Sequence, residues 1–486
     1  MALGDNLIKT SLEKIDQLRK EGINPYPYSF KKTHSSTQLK ENFEDNKEVK
    51  FAGRIIARRV LGKIAFIKLR DEEGDFQLFL SKEITKNYSI IEKTDLGDFV
   101  GAKGRLSKTK SGEPSIFTSE LTILAKTLRG LPEKYHGIAD PELKQRFRYL
   151  DLIMNLETRE TFKKRHEIIK GIRNYLYKKD FIELETPILQ PVYGGANARP
   201  FITHHNTLNQ DLYLRISLEL YLKRLIIGGY EKVFEIGKNF RNEGMDSMHN
   251  PEFTMLELYQ AYADYNDMMR LTENMIKFLA KEIFHKERFM FKGNNIDLTK
   301  PFRKLSMNQA IKEYTGYDVQ ELSTEELKKI IEPLNIELKG EITRGLLINT
   351  IFEEIAQEKI IQPTFVLDYP KEVSPLTKLH RENPALTERF ELFISGEEFA
   401  NAYSELNDPA DQRERFEAQE RDRKKGDEEA PPSDADFLIA LEHGMPPTGG
   451  LGIGIDRLIM FLTEKDSIRD IIPFPLLREE QKSNED

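Results

Sequence analysis

The stretch FRNEGMDSMHNPEFTMLELYQAY runs from Phe240 to Tyr262. Phe253, Leu256, Leu258 and Tyr259 read as a buried strand, but Glu257 stands among them. Arg241 and Glu243 precede them, across a loop carrying Gly244, Met248 and His249. A buried charge without a partner costs several kcal/mol, so each of these groups needs one. A second stretch, GGLGIGIDRLIMFL from Gly449 to Leu462, has the same character, with Arg457 at the head of an apolar run. Its glycines recur on one face of an expected strand. Glycine weakens a strand, so the pattern suits something that packs directly on the backbone, such as a flat purine ring. It is not a GxGxxG turn and lacks the lysine of a phosphate-cradling loop. An internal salt bridge explains any one of these arginines. The density of arginine, histidine and glutamate in apolar strands exceeds what structural pairing explains, and a guanidinium fork is well matched to phosphate.

The chain has 486 residues, no Cys, no Trp and a net charge of −8. Length suggests about three domains. The absence of cysteine excludes a disulfide scaffold, a thiolate zinc site and a thiol nucleophile. The opening MALGDNLIKTSLEKIDQLRKEG has no apolar signal core, and no later run approaches ~18 uninterrupted apolar residues. The expectation is a soluble, cytoplasmic protein with no membrane partner. Mild acidity does not exclude nucleic acid, because basic residues cluster locally.

Leu12, Ile15 and Leu18 lie at helical spacing, and INPYPYSF ends that helix because proline cannot continue it. From about Val49 the period becomes two. Ala65, Ile67 and Leu69 alternate with Ile64, Phe66, Lys68 and Arg70; Phe76, Leu78 and Leu80 alternate with Gln77 and Phe79. The expected organisation is a helical segment over 1–48 and a five-stranded OB-type barrel over 49–126. A turn-rich, then helical, linker follows over 127–150, and a large domain over 151–486. That domain opens with a long helix striped by Phe162, Ile168, Ile169, Ile172, Tyr175 and Leu176. FIELETPIL follows as an alternating strand, and an all-helical insertion is expected near 307–358. His204 and His205 are adjacent in a strand and point to opposite faces, which argues for structure rather than metal.

FRNE, its loop and HNPEF resemble motif 2 of the class II aminoacyl-tRNA synthetases. GLGIGIDR resembles motif 3. The long helix leading into FIELETPIL, with Pro187, resembles motif 1. YGGANARPFITHHN, YLRISLELYLKRL and NAYSELNDPADQRERF are similar to the lysine-specific branch. The aspartate and asparagine branches share the barrel and the motifs but not these segments. The resemblance spans nearly the whole chain, from LRKEGINPYPYSF to IRDIIPFP. It implies an α+β multidomain fold: an N-terminal OB barrel, and an antiparallel sheet core with flanking helices and a helical insertion.

The resemblance also implies roles. Arg241 would hold the ATP α-phosphate and the amino-acid carboxylate, with Glu243 and Asn250 at the adenine edge. Phe253 and Arg457 would cover the two adenine faces, and His249 would reach the distal phosphates. Glu391 and Glu398 match magnesium ligands, whose hard oxygens suit Mg²⁺. Glu405 and Tyr259 match the positions for a lysine ε-ammonium; Glu219 and the carbonyl of Gly195 match those for the α-amino group. Glu257, Asn401 and Tyr403 would line the wall, and Gly452 would leave room for the substrate. In the barrel, Arg59, Phe66, Gln77 and Glu120 match anticodon-reading positions, with Phe66 as a stacking platform. The implied partners are ATP, L-lysine, tRNA(Lys) and a second copy of the chain. The implied reaction activates lysine as its adenylate and transfers it to the terminal ribose of the tRNA, with Arg241, Glu243 and Arg457 as catalytic groups. A binding protein that kept the fold and lost catalysis is the alternative, and the presence of every motif residue argues against it. A relative that lysylates a protein would lack the barrel present here.

Overall fold

The computed structural model describes residues 2–131, 140–336, 338, 341–427 and 429–479. Two compact units emerge, Met1–Ala139 and Asp140–Asp486. Of the expected linker, 132–139 lies outside the described residues, while Pro141–Arg146 and Arg148–Met154 are helical.

In the first unit, strands Glu48–Leu61, Ile64–Arg70, Asp75–Ser81, Phe99–Lys108 and Pro114–Ala125 close into a barrel. Closure comes from a parallel pairing of Gln77–Phe79 with Ser115–Phe117, which leaves no free edge. The alternation read from the sequence holds: Ala65, Ile67, Leu69, Phe76, Leu78 and Leu80 are buried inside. Leu18, from the helix Ala2–Lys20, and Leu39, from Ser36–Glu41, join the same core. The N-terminal helices are therefore packed against the barrel and are part of it energetically.

The second unit is built on an eight-stranded sheet. In spatial order its strands are Arg303–Ser306, Thr364–Leu367, Arg389–Ile394, Glu397–Ser404, Thr448–Gly454, Glu252–Ala261, Lys232–Phe240 and Ile182–Glu183. Pairing is antiparallel except at the two edges, where Ile182–Glu183 and Arg303–Ser306 run parallel to their neighbours. One face is covered by helices Leu156–Tyr177, Tyr265–Leu279 and Ile455–Leu462. The second of these starts with a capping box between Asp264 and Asp267, and its Met268, Met275, Ile276 and Leu279 are fully or almost fully buried. Phe461 of the third helix meets the rings of Phe289, Phe291 and Phe399. Deleting such a ring costs ~3–5 kcal/mol. With helices on one face, the opposite face is left to hold ligands. Helices Met307–Thr315, Thr324–Ile331 and Arg344–Ile351 occupy the expected insertion and share a separate small core.

FIELETPIL departs from the expected strand. Only Ile182–Glu183 and, in a separate small sheet, Leu189–Gln190 are extended ladder residues. Pro187 has no N–H to donate, and the Thr186 N–H is used on the Glu235 carboxylate at 2.9 Å. The segment reads as alternating because it crosses the sheet edge, where pairing stops.

Candidate active site

The open face of the sheet carries the candidate site, and register assembles it. Glu257 pairs with Gly452, Gly452 with Asn401, and Asn401 with Glu391. One step along, Tyr259 pairs with Gly450, Gly450 with Tyr403, and Tyr403 with Arg389. Two parallel rows thus cross four strands, with a bare glycine in the middle of each. A cavity of about 370 Å³ lies over them. It is lined by Gly195, Glu219, Arg241, Glu243, His249, Asn250, Phe253, Glu257, Tyr259, Glu391, Glu398, Asn401, Tyr403, Gly452 and Arg457. Among the residues expected in this unit, Glu405 alone does not line it. Glu405 is buried at its end, where a Cβ on Gly450 would stand 1.9 Å from Glu405 Oε1.

Each side chain is held from outside the cavity. Arg241 follows the last strand residue, Phe240, and its N–H donates to the Pro251 carbonyl at 2.9 Å, closing the motif loop. Its guanidinium lies over the Phe253 ring, 5.2 Å from the centroid. Burial holds its pKa below the usual arginine value, against the pull of Glu243, Glu398 and Glu257. Arg457 donates to the Glu398 carbonyl at 2.7 Å and sits 2.9 Å from His249 Nε2, whose Nδ1 faces Asp246. Glu243 is exposed in the loop, and the Asn250 amide donates to the Glu252 carbonyl at 2.6 Å. Arg165, on the helix Leu156–Tyr177, carries no local sequence signal of its role. It donates to Asp456 at 2.6 Å and to Thr254 at 3.1 Å, while the Thr254 N–H donates to Asp456 at 2.7 Å. This triad locks the three motif segments together.

The carboxylates are strongly perturbed. Glu257 accepts hydrogen bonds from Ser217 Oγ and the Leu218 N–H at 3.0 Å and from the Tyr259 hydroxyl at 3.2 Å. Burial, then the neighbouring Glu219, pushes it up to about 7. Glu219 accepts from the Tyr403 hydroxyl at 2.6 Å and pairs with Lys223. Gly195 has φ +85°, and a Cβ there would approach Ser217 Oγ to 2.8 Å and Glu219 Cβ to 3.0 Å, so only glycine fits at this point beside Glu219.

Glu391 and Glu398 lie on adjacent strands at a register shift. Burial raises Glu391 to about 7; Arg389, 2.5 Å away, opposes this and Glu398 reinforces it. A carboxylate pair in mutual repulsion is relieved by a hard cation. Among the described residues, no group of three or more acidic or histidine side chains is gathered for a metal. Two carboxylates suit an ion that completes its shell with water and phosphate oxygens, as Mg²⁺ does.

In the barrel, Arg59 pairs with Phe66, Phe66 with Phe79, and Phe79 with Phe117. The ring centroids lie 5.5 and 4.7 Å apart. Phe66 is therefore one end of a half-buried aromatic row. Gln77 donates to Ser115 at 2.9 Å beside it, and exposed Glu120 pairs with Lys103 on the neighbouring strand. Phe117 stands in SIFTS, an alternating segment whose outward face could have flagged it.

The open face of this largely antiparallel sheet thus gathers two arginines, bare glycines and buried carboxylates. Residues 140–478 match the family model of class II tRNA synthetases (D, K and N), and residues 49–124 match an OB-fold nucleic acid binding domain. The chain belongs to this class II synthetase family. Among its relatives is a lysine–tRNA ligase of Clostridium novyi (strain NT), 52% identical over 97% of this chain and 94% of that protein. Lysine–tRNA ligases of Nostoc sp. (53%, 96% and 87%) and Moorella thermoacetica (51%, 98% and 99%) are similarly close.

Proposed function

We infer that this chain is a lysine–tRNA ligase: it activates L-lysine with ATP to lysyl-adenylate and diphosphate, then transfers the lysyl group to the terminal ribose of tRNA(Lys). The observation that carries the reading is the pair of cross-strand rows, which puts carboxylates around a cavity that Arg241 and Arg457 also line. The substrate has two ammonium groups and one carboxylate, and the cavity has the complementary set. Glu219 and the Gly195 carbonyl receive the α-amino group, and Glu405 with Tyr259 receives the ε-ammonium. Asn401, Tyr403 and Glu257 flank the stem, and Gly452 leaves the space it occupies. Arg241 holds the carboxylate in line with the α-phosphate of ATP. The reaction needs no protein nucleophile, so the protein supplies alignment and a preorganised charge, the latter worth ~3–4 kcal/mol for one donor. Phe253 and Arg457 sandwich adenine over the glycine strand, with Glu243 and Asn250 at its edge and His249 toward the distal phosphates.

Glu391 and Glu398 would hold Mg²⁺, which would neutralise the triphosphate when bound. The barrel contributes Arg59, Phe66, Gln77 and Glu120 to the anticodon. Ile188, Leu189 and Ile202 are 44%, 47% and 66% exposed beside the motif 1 segment, an apolar surface that a second copy of the chain would cover. ATP and tRNA are drawn from the cytoplasm, where we place the enzyme. None of the described helices is long and apolar enough to cross a membrane. The test is ATP–diphosphate exchange with each amino acid in turn. Lysine alone should support it, and exchange with another amino acid in its place refutes the reading.

A further inference from the structure

Lys223 has no role in the scheme above. It lies one turn after Glu219 on the helix Glu219–Ile227, and its side chain is fully buried. Its ammonium is 2.5 Å from Glu219 Oε1 and also contacts Glu405 Oε2. The rings of Tyr403 and Phe437 lie 5.6 and 5.9 Å from it. A resident ammonium thus stands between the two carboxylates assigned to opposite ends of the substrate. Glu405 is otherwise faced by Glu219 from the same helix as Lys223, by Glu257 and Tyr259 from the strand Glu252–Ala261, by Tyr403 and by the bare backbone of Gly450. Among the described residues, neither of its oxygens receives a well-aligned hydrogen bond; Oε2 has the Lys223 ion pair, and Oε1 has no donor. A buried carboxylate with no counter-charge takes up a proton. Burial, reinforced by Glu219 and Glu257, holds Glu405 well above the usual carboxylate range even with Lys223 opposing it.

We propose that Lys223 is a positioning residue for substrate selection: its ammonium secures Oε2 of Glu405 and favours the carboxylate form, so that Oε1 is left as the acceptor for one side-chain ammonium. The proposal rests on the lysine-ligase reading. It assigns the preference for a primary ammonium over a neutral isostere to a pair, Lys223 and Glu405, and not to Glu405 alone. Without Lys223, Glu405 stands buried beside Glu219 and Glu257 with nothing to oppose them, and the neutral acid is favoured further. The pocket then behaves as though glutamine stood there.

The experiment uses the full chain with lysine- and norleucine-dependent ATP–diphosphate exchange from about pH 6 to about pH 9.5. Four proteins are compared: parent, Lys223→Met, Glu405→Gln and the double variant. Lys223→Met should lose at least ~30-fold in kcat/KM for lysine near pH 7 and recover much of it toward the alkaline end, with the KM for ATP unchanged. Its discrimination against norleucine should fall as well. In the Glu405→Gln background, removing Lys223 should change lysine activation by less than about threefold, because the group it acts through is already neutral. A loss that is the same at every pH, or equal in both backgrounds, would make Lys223 structural and overturn the proposal. Should Lys223→Met fail to fold, Glu405→Gln against the double variant, where both charges of the pair are gone, still decides. Absence of lysine-dependent exchange in the parent would refute the ligase reading, whereas an active parent with an unmoved pH profile refutes only the role of Lys223.

Discussion

Glu405→Gln keeps the shape of the pocket end and removes its charge. In the native structure Glu405 is almost completely buried, Oε1 has no donor, and the nearest cation is Lys223 on the far oxygen. An ε-ammonium arriving at Oε1 therefore meets an acceptor oxygen that nothing else satisfies. Losing that charge pairing costs ~3 kcal/mol, so kcat/KM for lysine should fall at least ~10²-fold. Norleucine should move the other way. The parent should reject it by ~10⁴ or more, because binding it leaves Glu405 Oε1 buried without a donor, and the amide reduces that penalty. The KM for ATP should stay within error, since Phe253 and Arg457, the groups proposed for adenine, do not contact this end. The assay is diphosphate exchange with lysine and norleucine in parallel, for parent and variant. Lysine activation equal to that of the parent would refute the reasoning and move the ammonium to Glu257 or Glu219.

Phe66→Ala should reduce aminoacylation by roughly tenfold or more, from ~1–3 kcal/mol of lost stacking, while lysine-dependent diphosphate exchange is unchanged; equal losses in both assays would make the ring structural. Gly450→Ala places a methyl 1.9 Å from Glu405 Oε1 and 2.6 Å from the Tyr259 ring, so lysine activation should be lost while ATP is still bound in equilibrium dialysis. Mass measurement in solution should find a symmetric dimer with an interface beyond ~2,000 Å², and an active monomer at micromolar concentration would exclude it.

The sequence by itself determined the faces. Period-two alternation put Ala65, Ile67 and Leu69 inside a barrel and Phe66 outside it, and the glycines at 450, 452 and 454 marked a strand face cleared for a ligand. Those are local consequences of backbone geometry, because side chains on a strand alternate whatever lies next to it. Charged residues in apolar runs likewise announced a site. Which residues meet was decided only by tertiary structure. Glu257, Gly452, Asn401 and Glu391 form one row because of antiparallel register between strands far apart in the chain. FIELETPIL looked like a strand, but a sheet edge and Pro187 ended its pairing. Lys223, in ELYLKRL, reads as one more charge on an amphipathic helix, and Arg165 as one more in a long one. Their partners, Glu405 and Asp456, come from remote segments. Burial of a charge depends on everything packed around it, which no local period carries, so the ion pairs that hold the site together became visible only when the sheet and its helices were assembled.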